Sequence, residues 1–184
     1  MKGVVFTEFL EMIEDRFSPE MADRIIEEAE LASGGVYTTV GTYDHREMIQ
    51  LVSCLSAETG IPSAELVRSF GIHLFGRFHK MFPKYFEGVT SSFDFLQRVD
   101  HYIHVEVGKL YSDAELPSFD CDTPQPGCLR LTYRSSRPFA ALAEGLIRGC
   151  VAHYGEAVDI RMEDLSGGSG TAARFVLTKR GAAP

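Results

Sequence analysis

The sequence predicts an α+β fold in which helices come first and most of the strands come later. Apolar residues recur at helical spacing through the first two thirds of the 184-residue chain. After Pro117 the pattern changes, and residues 128–133, 156–163 and 172–179 resemble strands. This order indicates a helical N-terminal subdomain and a C-terminal subdomain with an antiparallel sheet plus helices.

The first two helices are predicted from an apolar face and from a start signal. The apolar residues that share the first helical face are Val5, Phe9, Met12 and Ile13. Ser18 can cap a second helix over residues 18–32, because Pro19 is well suited to its first position. Two further helices follow. Asp44 can cap one over residues 45–58, and Pro62 can begin another that runs to about Lys80.

The helix predicted over residues 91–111 carries a continuous apolar stripe. Its members are Leu96, Val99, Ile103, Val107 and Leu110. His104 lies on the flank of this stripe, and Gly108 one turn later leaves room for a planar ligand against the helix. Residues 138–153 predict a last helix, and the glycine-rich turn at residues 167–170 predicts an antiparallel hairpin.

Charge and composition limit the function classes. A net charge of −8 and a pI near 5.2 argue against nucleic acid as the main partner. The chain has 13 Phe and no Trp, so phenyl rings are available to wall a flat apolar ligand. No apolar run reaches the ~20 residues of a transmembrane helix, and the N-terminus has no secretory signal. We therefore expect a cytoplasmic protein without a membrane segment.

The four cysteines lack the C-x-x-C spacing of a metal or redox motif. In a reducing cytosol they are expected to be free thiols. Cys121, Cys128, Cys150 and His153 could supply zinc ligands by number, but their irregular spacing favours thiols.

The segment Tyr133-Arg134-Ser135-Ser136-Arg137 predicts an anion clamp. If residues 128–136 form one strand, Tyr133, Ser135 and Arg137 share a face at steps of about 7 Å. A phenol, a hydroxyl and a guanidinium in a row suit two carboxylates on one rigid ligand. A haem carries such a pair and needs an axial histidine, for which His104 is the candidate.

His101 is the main rival for the iron, because it lies one turn before His104 on nearly the same side. The V-E-V-x-K-L-Y context after His104 favours His104. The remaining histidines, which we expect to be structural, are His45, His73, His79 and His153. Of these, His73 could in principle coordinate from the opposite side of a haem.

Three short motifs in this order carry a family resemblance. They are Ile103-His104-Val105-Glu106-Val107, Glu115-Leu116-Pro117 and Tyr133-x-Ser135-x-Arg137. The chain resembles the H-NOX family, haem-based sensors of nitric oxide and dioxygen related to the haem domain of soluble guanylate cyclase, and in particular its stand-alone bacterial type. The resemblance runs from Met1 to the last strand near Leu177.

The resemblance implies a role for each of these residues. His104 would be the proximal ligand of the iron of haem b, and Tyr133, Ser135 and Arg137 would bind the haem propionates. Pro117 would press on the porphyrin and distort it. The chain would be one domain over residues 1–184, with residues 1–60 as the distal helical part, residues 61–184 as the proximal part with the sheet, and haem between them.

The distal pocket is expected to exclude dioxygen. In the dioxygen-binding branch of the family, a distal Tyr follows the motif Arg by five positions, supported by a Trp and an Asn. The corresponding residues here are Leu142, Phe9 and Leu74, and Val5 and Phe78 lie nearby. A pocket without a hydrogen-bond donor predicts stable nitric oxide and carbon monoxide complexes and no stable dioxygen complex.

The same resemblance implies a signalling mechanism. Nitric oxide would bind five-coordinate ferrous haem and release His104, and the helical part would shift against the sheet part. The output would be supplied in trans by a histidine kinase or by an enzyme of cyclic-di-GMP metabolism, so the chain itself would not be an enzyme.

Two other classes of function remain as alternatives. A small enzyme is disfavoured because no G-x-S-x-G or H-E-x-x-H motif occurs. A haem-free interaction module could use Tyr133, Ser135 and Arg137 to bind a partner or another carboxylate, but the retained His104 argues against it.

Overall fold

The computed structural model describes residues 1–181, and in these residues helices pack beside a four-stranded sheet. The α-helices are α1 (Gly3–Arg16), α2 (Pro19–Glu28), α3 (His45–Thr59), α4 (Ser63–Met81), α5 (Ser92–Arg98), α6 (His104–Leu110) and α7 (Ala140–His153). A 3-10 turn (Pro83–Phe86) follows α4, and a π-helical turn (Val99–Ile103) joins α5 to α6. The strands are β1 (Ser118–Gln125), β2 (Cys128–Arg134), β3 (Val158–Asp164) and β4 (Ala172–Lys179). The predicted α+β class is confirmed, and residues 182–184 of the predicted domain lie outside the described residues.

The sheet has the strand order β1-β2-β4-β3, and every neighbouring pair is antiparallel. The predicted hairpin around residues 167–170 is β3–β4, in which Ile160 lies opposite Leu177. Strand β1 was not predicted from the sequence. This edge strand has only Phe119 and Cys121 facing inward among charged and polar residues, so its apolar pattern is too short to be recognised.

The early helices begin where their capping residues predict. The Ser18 hydroxyl accepts a hydrogen bond from the Met21 amide at 3.2 Å, and the Asp44 carboxylate accepts one from the Arg46 amide at 2.9 Å. Helix α2 ends at Glu28 instead of the predicted residue 32, because Glu30 takes a left-handed φ of 46°.

The buried apolar residues form two clusters. The main members of the N-terminal cluster are Phe6, Phe9, Met12, Ile13, Ile25, Met48, Leu51, Leu55, Phe70, Leu74 and Phe139. The main members of the C-terminal cluster are Phe75, Phe95, Leu96, Leu129, Leu131, Tyr133, Ile147, Cys150, Phe175 and Leu177. Helix α4 belongs to both, since Leu74 packs in the first and Phe75 in the second.

Helices α4 and α7 cross at glycines that allow their backbones to touch. A Cβ on Gly145 would lie 2.2 Å from the Arg68 carbonyl oxygen and 2.8 Å from the Gly71 Cα. A Cβ on Gly71 would lie 2.5 Å from the Leu142 carbonyl oxygen. These neighbours are main-chain atoms, which cannot rotate away as a side chain can.

Gly145→Ala is expected to lower the free energy of unfolding by about 1–3 kcal/mol, because the added methyl forces α4 and α7 apart. Gly76→Ala on α4 is the matched control, since its Cβ would meet nothing within 4 Å. This control is expected to stabilise the protein by about 0.5–1 kcal/mol through helix propensity. Urea unfolding followed by circular dichroism measures both changes. Equal stability of the two variants would contradict the close crossing.

Candidate functional site

His104 is the first residue of α6 and directly follows the π-helical turn. Its side chain is 19% exposed, and its Nδ1 is buried without a hydrogen-bond partner in the described residues. Asp100 Oδ1 lies 3.8 Å from Nδ1, too far for a direct hydrogen bond. Burial lowers the pKa of His104, although the Asp100 carboxylate and the Pro117 carbonyl act in the opposite direction. A neutral imidazole can ligate iron.

The π-helical turn was not predicted and changes the face that the helix presents. Because a π-helical turn contains an extra residue, the side chains of α6 point in other directions than they would if α5 continued as a regular α-helix. No residue of α6 is fully buried. Leu110, predicted as part of the apolar stripe, is therefore exposed. Such π-helical turns are frequent at functional sites. A Cβ on Gly108 would meet nothing within 4 Å, which agrees with the space expected beside this residue.

Asp100 and Pro117 connect the His104 helix to the sheet. The Phe119 amide, at the start of β1, donates a 2.9 Å hydrogen bond to Asp100 Oδ1. The ring centroid of Phe119 lies 5.9 Å from that of His104 and 5.5 Å from that of Tyr133. Phe119 is thus a site residue that the sequence analysis missed; its signal was an isolated aromatic residue just after Pro117.

The predicted clamp is assembled by a strand end and a turn. Tyr133 is buried on β2, which agrees with the strand predicted over residues 128–133, but the strand ends at Arg134, so the continuation to residue 136 that would place the three clamp residues on one face does not form. The Ser135 amide donates to the Thr171 carbonyl at 2.9 Å, and the Arg137 amide donates to the Ser135 hydroxyl at 3.0 Å. The turn therefore orients Ser135 and Arg137, which strand alternation cannot do.

The three clamp residues are nevertheless close enough to influence one another. Burial raises the pKa of the Tyr133 phenol, while the Ser135 hydroxyl and the Arg137 charge act to lower it. Arg137 Nη2 donates to Glu115 Oε2 at 2.9 Å, and Arg137 Nε is buried without a partner in the described residues. The guanidinium thus already holds a carboxylate and has a further donor available.

A polar cavity of about 560 Å³ lies beside Arg137. Its lining residues are Met1, Thr42, Tyr43, Asp44, His45, Arg46, Asp113, Glu115 and Arg137. The cavity is therefore bordered by the N-terminus, by the segment before α3 and by the loop after α6. Burial and the Arg137 charge lower the pKa of the Met1 amino group, which donates to the Tyr43 carbonyl at 2.6 Å.

The five residues predicted for the distal pocket belong to one apolar cluster. Phe9 and Leu74 are buried in the N-terminal cluster, and Val5, Phe78 and Leu142 pack against it partly buried. They come from α1, α4 and α7, which meet only in the folded chain. The sequence analysis missed Phe70, whose ring meets that of Phe9 edge to face at 5.0 Å.

An ion pair between the buried Glu8 and the partly exposed Arg77 flanks this apolar group. Glu8, 3% exposed, accepts from Arg77 Nε at 2.5 Å and from Arg77 Nη2 at 3.1 Å. His73 Nε2 lies 3.7 Å from Glu8 Oε2. His73 Nε2, like His104 Nδ1, is buried without a hydrogen-bond partner in the described residues and has a carboxylate just beyond hydrogen-bond distance.

The other histidines and the cysteines show no alternative metal centre of three or more ligands. Within residues 1–181, no three His, Cys, Asp or Glu side chains are grouped to hold a metal ion. The rival His101 is exposed, and His45 is half-buried. All four cysteines lie in the described part and are free thiols.

The arrangement fits a haem. A buried imidazole nitrogen on His104 and a buried guanidinium nitrogen on Arg137 both lack partners in the described chain, and both belong to the predicted ligand set. Arg137 binds a carboxylate, as a propionate requires, and the residues predicted for the distal wall lie in or against one apolar cluster. When bound, haem would supply an iron that takes a diatomic gas.

The model of the haem-NO-binding family matches residues 2–162. The chain belongs to the H-NOX family. Members of this family are haem-based gas sensors. No curated protein matches the chain at a significant level. Among residues 1–181 no helix has both the length and the apolar character needed to cross a bilayer.

Solved H-NOX structures have the same fold along their whole length. The Fe(II) unliganded H-NOX protein from K. algicida is 37% identical, with a TM-score of 0.91 over 97% of this chain and 96% of that one. The IWP-051-bound H-NOX from Shewanella woodyi in the Fe(II)CO state is 45% identical, with a TM-score of 0.83 over 100% and 97%. An S. oneidensis H-NOX protein in the Fe(II)NO state, 20% identical with a TM-score of 0.90 over 98% and 99%, shows the shared fold alone.

Arg137→Gln is expected to weaken haem binding by roughly 10- to 150-fold, because one charged hydrogen bond contributes about 1.5–3 kcal/mol. Transfer of haem to an excess of apomyoglobin measures the loss. The matched control is Arg134→Gln, three residues earlier, whose guanidinium is exposed and pairs with Asp120. The control is expected to retain haem as the unmodified protein does. Equal haem loss from both variants would contradict a clamp at Arg137.

Proposed function

We propose that the chain is a nitric oxide sensor that holds haem b between an N-terminal distal part and a C-terminal proximal part. The observation that carries this proposal is the set of unpartnered buried nitrogens on His104 and Arg137. His104 would be the axial ligand, and Tyr133, Ser135 and Arg137 would hold the propionates. Pro117, whose carbonyl acts on His104, would contact the porphyrin on the same side.

The proposed division places residues 1–60 on the distal side and residues 61–184 on the proximal side. The two apolar clusters support two parts with separate cores. Because α4 contributes Leu74 to the N-terminal cluster, the distal wall also draws on residues after position 60.

The apolar distal group supports selectivity for nitric oxide and carbon monoxide over dioxygen. A dioxygen ligand is polarised and gains from a donor, whereas Phe9, Leu74 and Leu142 offer only hydrocarbon. Glu8, the buried carboxylate next to Phe9 in α1, is engaged by Arg77. Exclusion of dioxygen would thus follow from the hydrocarbon character of Phe9, Leu74 and Leu142.

Signal output would begin at the start of α6. His104 would leave the iron when nitric oxide binds, and the π-helical turn before it would transmit the movement. Asp100 links this turn to the Phe119 amide, so movement of His104 would act on β1. The bistable element is the junction from the π-helical turn to β1.

The output is proposed to act in trans, in the cytoplasm, on a histidine kinase or an enzyme of cyclic-di-GMP metabolism. The family's role as sensor modules supports a regulatory role and not catalysis by this chain. The free thiols agree with a reducing compartment, and the net charge of −8 is unfavourable for nucleic acid.

The reduced protein is expected to bind nitric oxide and carbon monoxide and to show no oxygenated spectrum in air. Leu142→Tyr should introduce a phenol donor and raise dioxygen affinity by about 2- to 10-fold, the value of one neutral hydrogen bond. Leu142→Phe, which adds a ring without a donor, is the control. Ultraviolet-visible spectra under each gas measure these changes. A persistent oxygenated spectrum of the unmodified protein would refute the proposed selectivity, and the absence of any chromophore after haem reconstitution would refute the sensor itself.

His104→Gly is expected to bind haem only when imidazole is added, and to lose the structural response to nitric oxide, because the ligand is no longer tethered to α6. Hydrogen exchange over residues 99–125 measures this response without a partner. The unmodified protein should exchange faster on adding nitric oxide, and the variant should not change. His101→Gly is the matched control and should respond normally. An unchanged response in His104→Gly would refute signalling through this residue.

A further inference from the structure

Two histidines outside the proposed haem site face each other at the ends of two helices. His79 lies in the last turn of α4, and His153 is the last residue of α7. Their ring centroids are 4.2 Å apart, and the ring planes are inclined by 48°. They are separated by 74 positions in the sequence, so only the fold brings them together.

The two imidazoles are attached to helices that pack closely against each other. Helices α4 and α7 touch at their backbones, and a Cβ on Gly149, one turn before His153, would lie 2.7 Å from the Phe75 Cβ. The Phe86 ring meets His79 edge to face at 4.7 Å and His153 at 5.9 Å. Packing against Phe86 limits the rotation of both imidazoles, which lowers the entropy lost when a ligand is held between them.

The pair is accessible and chemically competent. His153 is exposed and His79 is half-buried, so a small ion can reach both from solvent. Imidazole nitrogen suits Zn²⁺, Ni²⁺ and Cu²⁺ and does not suit Ca²⁺ or Mg²⁺.

We propose that His79 and His153 form a two-imidazole site for a divalent transition metal ion, with water in the remaining coordination positions. No third acidic, cysteine or histidine ligand joins them within residues 1–181. The site therefore has the open positions of an exchangeable site and not the four protein ligands of a structural zinc.

A metal ion in this position would join the ends of α4 and α7. These two helices also carry Leu74, Phe78 and Leu142, which are the residues proposed for the distal wall. The ion is consequently expected to stabilise the folded protein in proportion to its occupancy, because it binds the native arrangement and not the unfolded chain. The site itself does not depend on the proposed gas-sensing function.

Titration of Zn²⁺ into the tag-free full-length protein, followed by isothermal calorimetry, tests the site. The unmodified chain is expected to bind one equivalent. His79→Asn and His153→Asn should each weaken binding by about tenfold or more, since each removes one of two protein ligands. The matched control His101→Asn, which removes an exposed imidazole elsewhere, should bind as the unmodified chain does.

Thermal unfolding tests the same site without relying on the heat of Zn²⁺ binding. Zn²⁺ should raise the Tm of the unmodified chain and of His101→Asn, and at the same Zn²⁺ concentration it should raise the Tm of His79→Asn and His153→Asn by clearly less. Circular dichroism without metal confirms that the variants are folded. The proposal is overturned if the unmodified chain binds no Zn²⁺, or if the two variants bind it as tightly as the control does; the pair would then be aromatic packing only.

Discussion

The backbone contact between α4 and α7 is the constraint on which the rest of the structure depends. Because Gly71 and Gly145 have no side chains, the two helices approach until main-chain atoms touch. This contact joins the two apolar clusters, since α4 has Leu74 in one and Phe75 in the other. A larger residue at either glycine would separate the helices and with them both halves of the proposed site.

The proposed haem site extends across these elements and uses no contiguous segment. The distal residues come from α1, α4 and α7, whereas His104 follows a π-helical turn and the clamp follows β2. Phe119 bridges the two proximal pieces, with His104 on one side and Tyr133 on the other. The packed rings and the hydrogen bond from the Phe119 amide to Asp100 join the two proximal pieces, and the proposed signalling mechanism requires such a connection.

Local signals predicted most of the helices and the last hairpin. Ser18 and Asp44 mark helix starts because their side-chain oxygens accept hydrogen bonds from backbone amides in the first turn that lack a partner within the helix. This hydrogen bond is local and needs no residue distant in the sequence. By contrast β1 was missed, and the turn that places Ser135 and Arg137 was not predicted. Strand β1 has only two inward-facing apolar residues and forms only beside its neighbouring strand. The turn at Ser135 is stabilised by the Thr171 carbonyl, which lies far along the chain.

The sequence by itself determined the α+β class, the order of the helices, the family resemblance and the residue types of the site, because periodicity and short motifs are local properties. The motifs identified His104, Tyr133 and Arg137 as site residues, but they contain no information on the residues that surround them in the fold. Only the tertiary structure decided that His104 begins a helix after a π-helical turn, that Phe119 lies beside it and that His79 meets His153. The contact of His79 with His153 follows from the close approach of α4 and α7, and the place of Phe119 follows from the pairing of β1 with β2 and from its hydrogen bond to Asp100; these contacts join residues that no single local pattern contains.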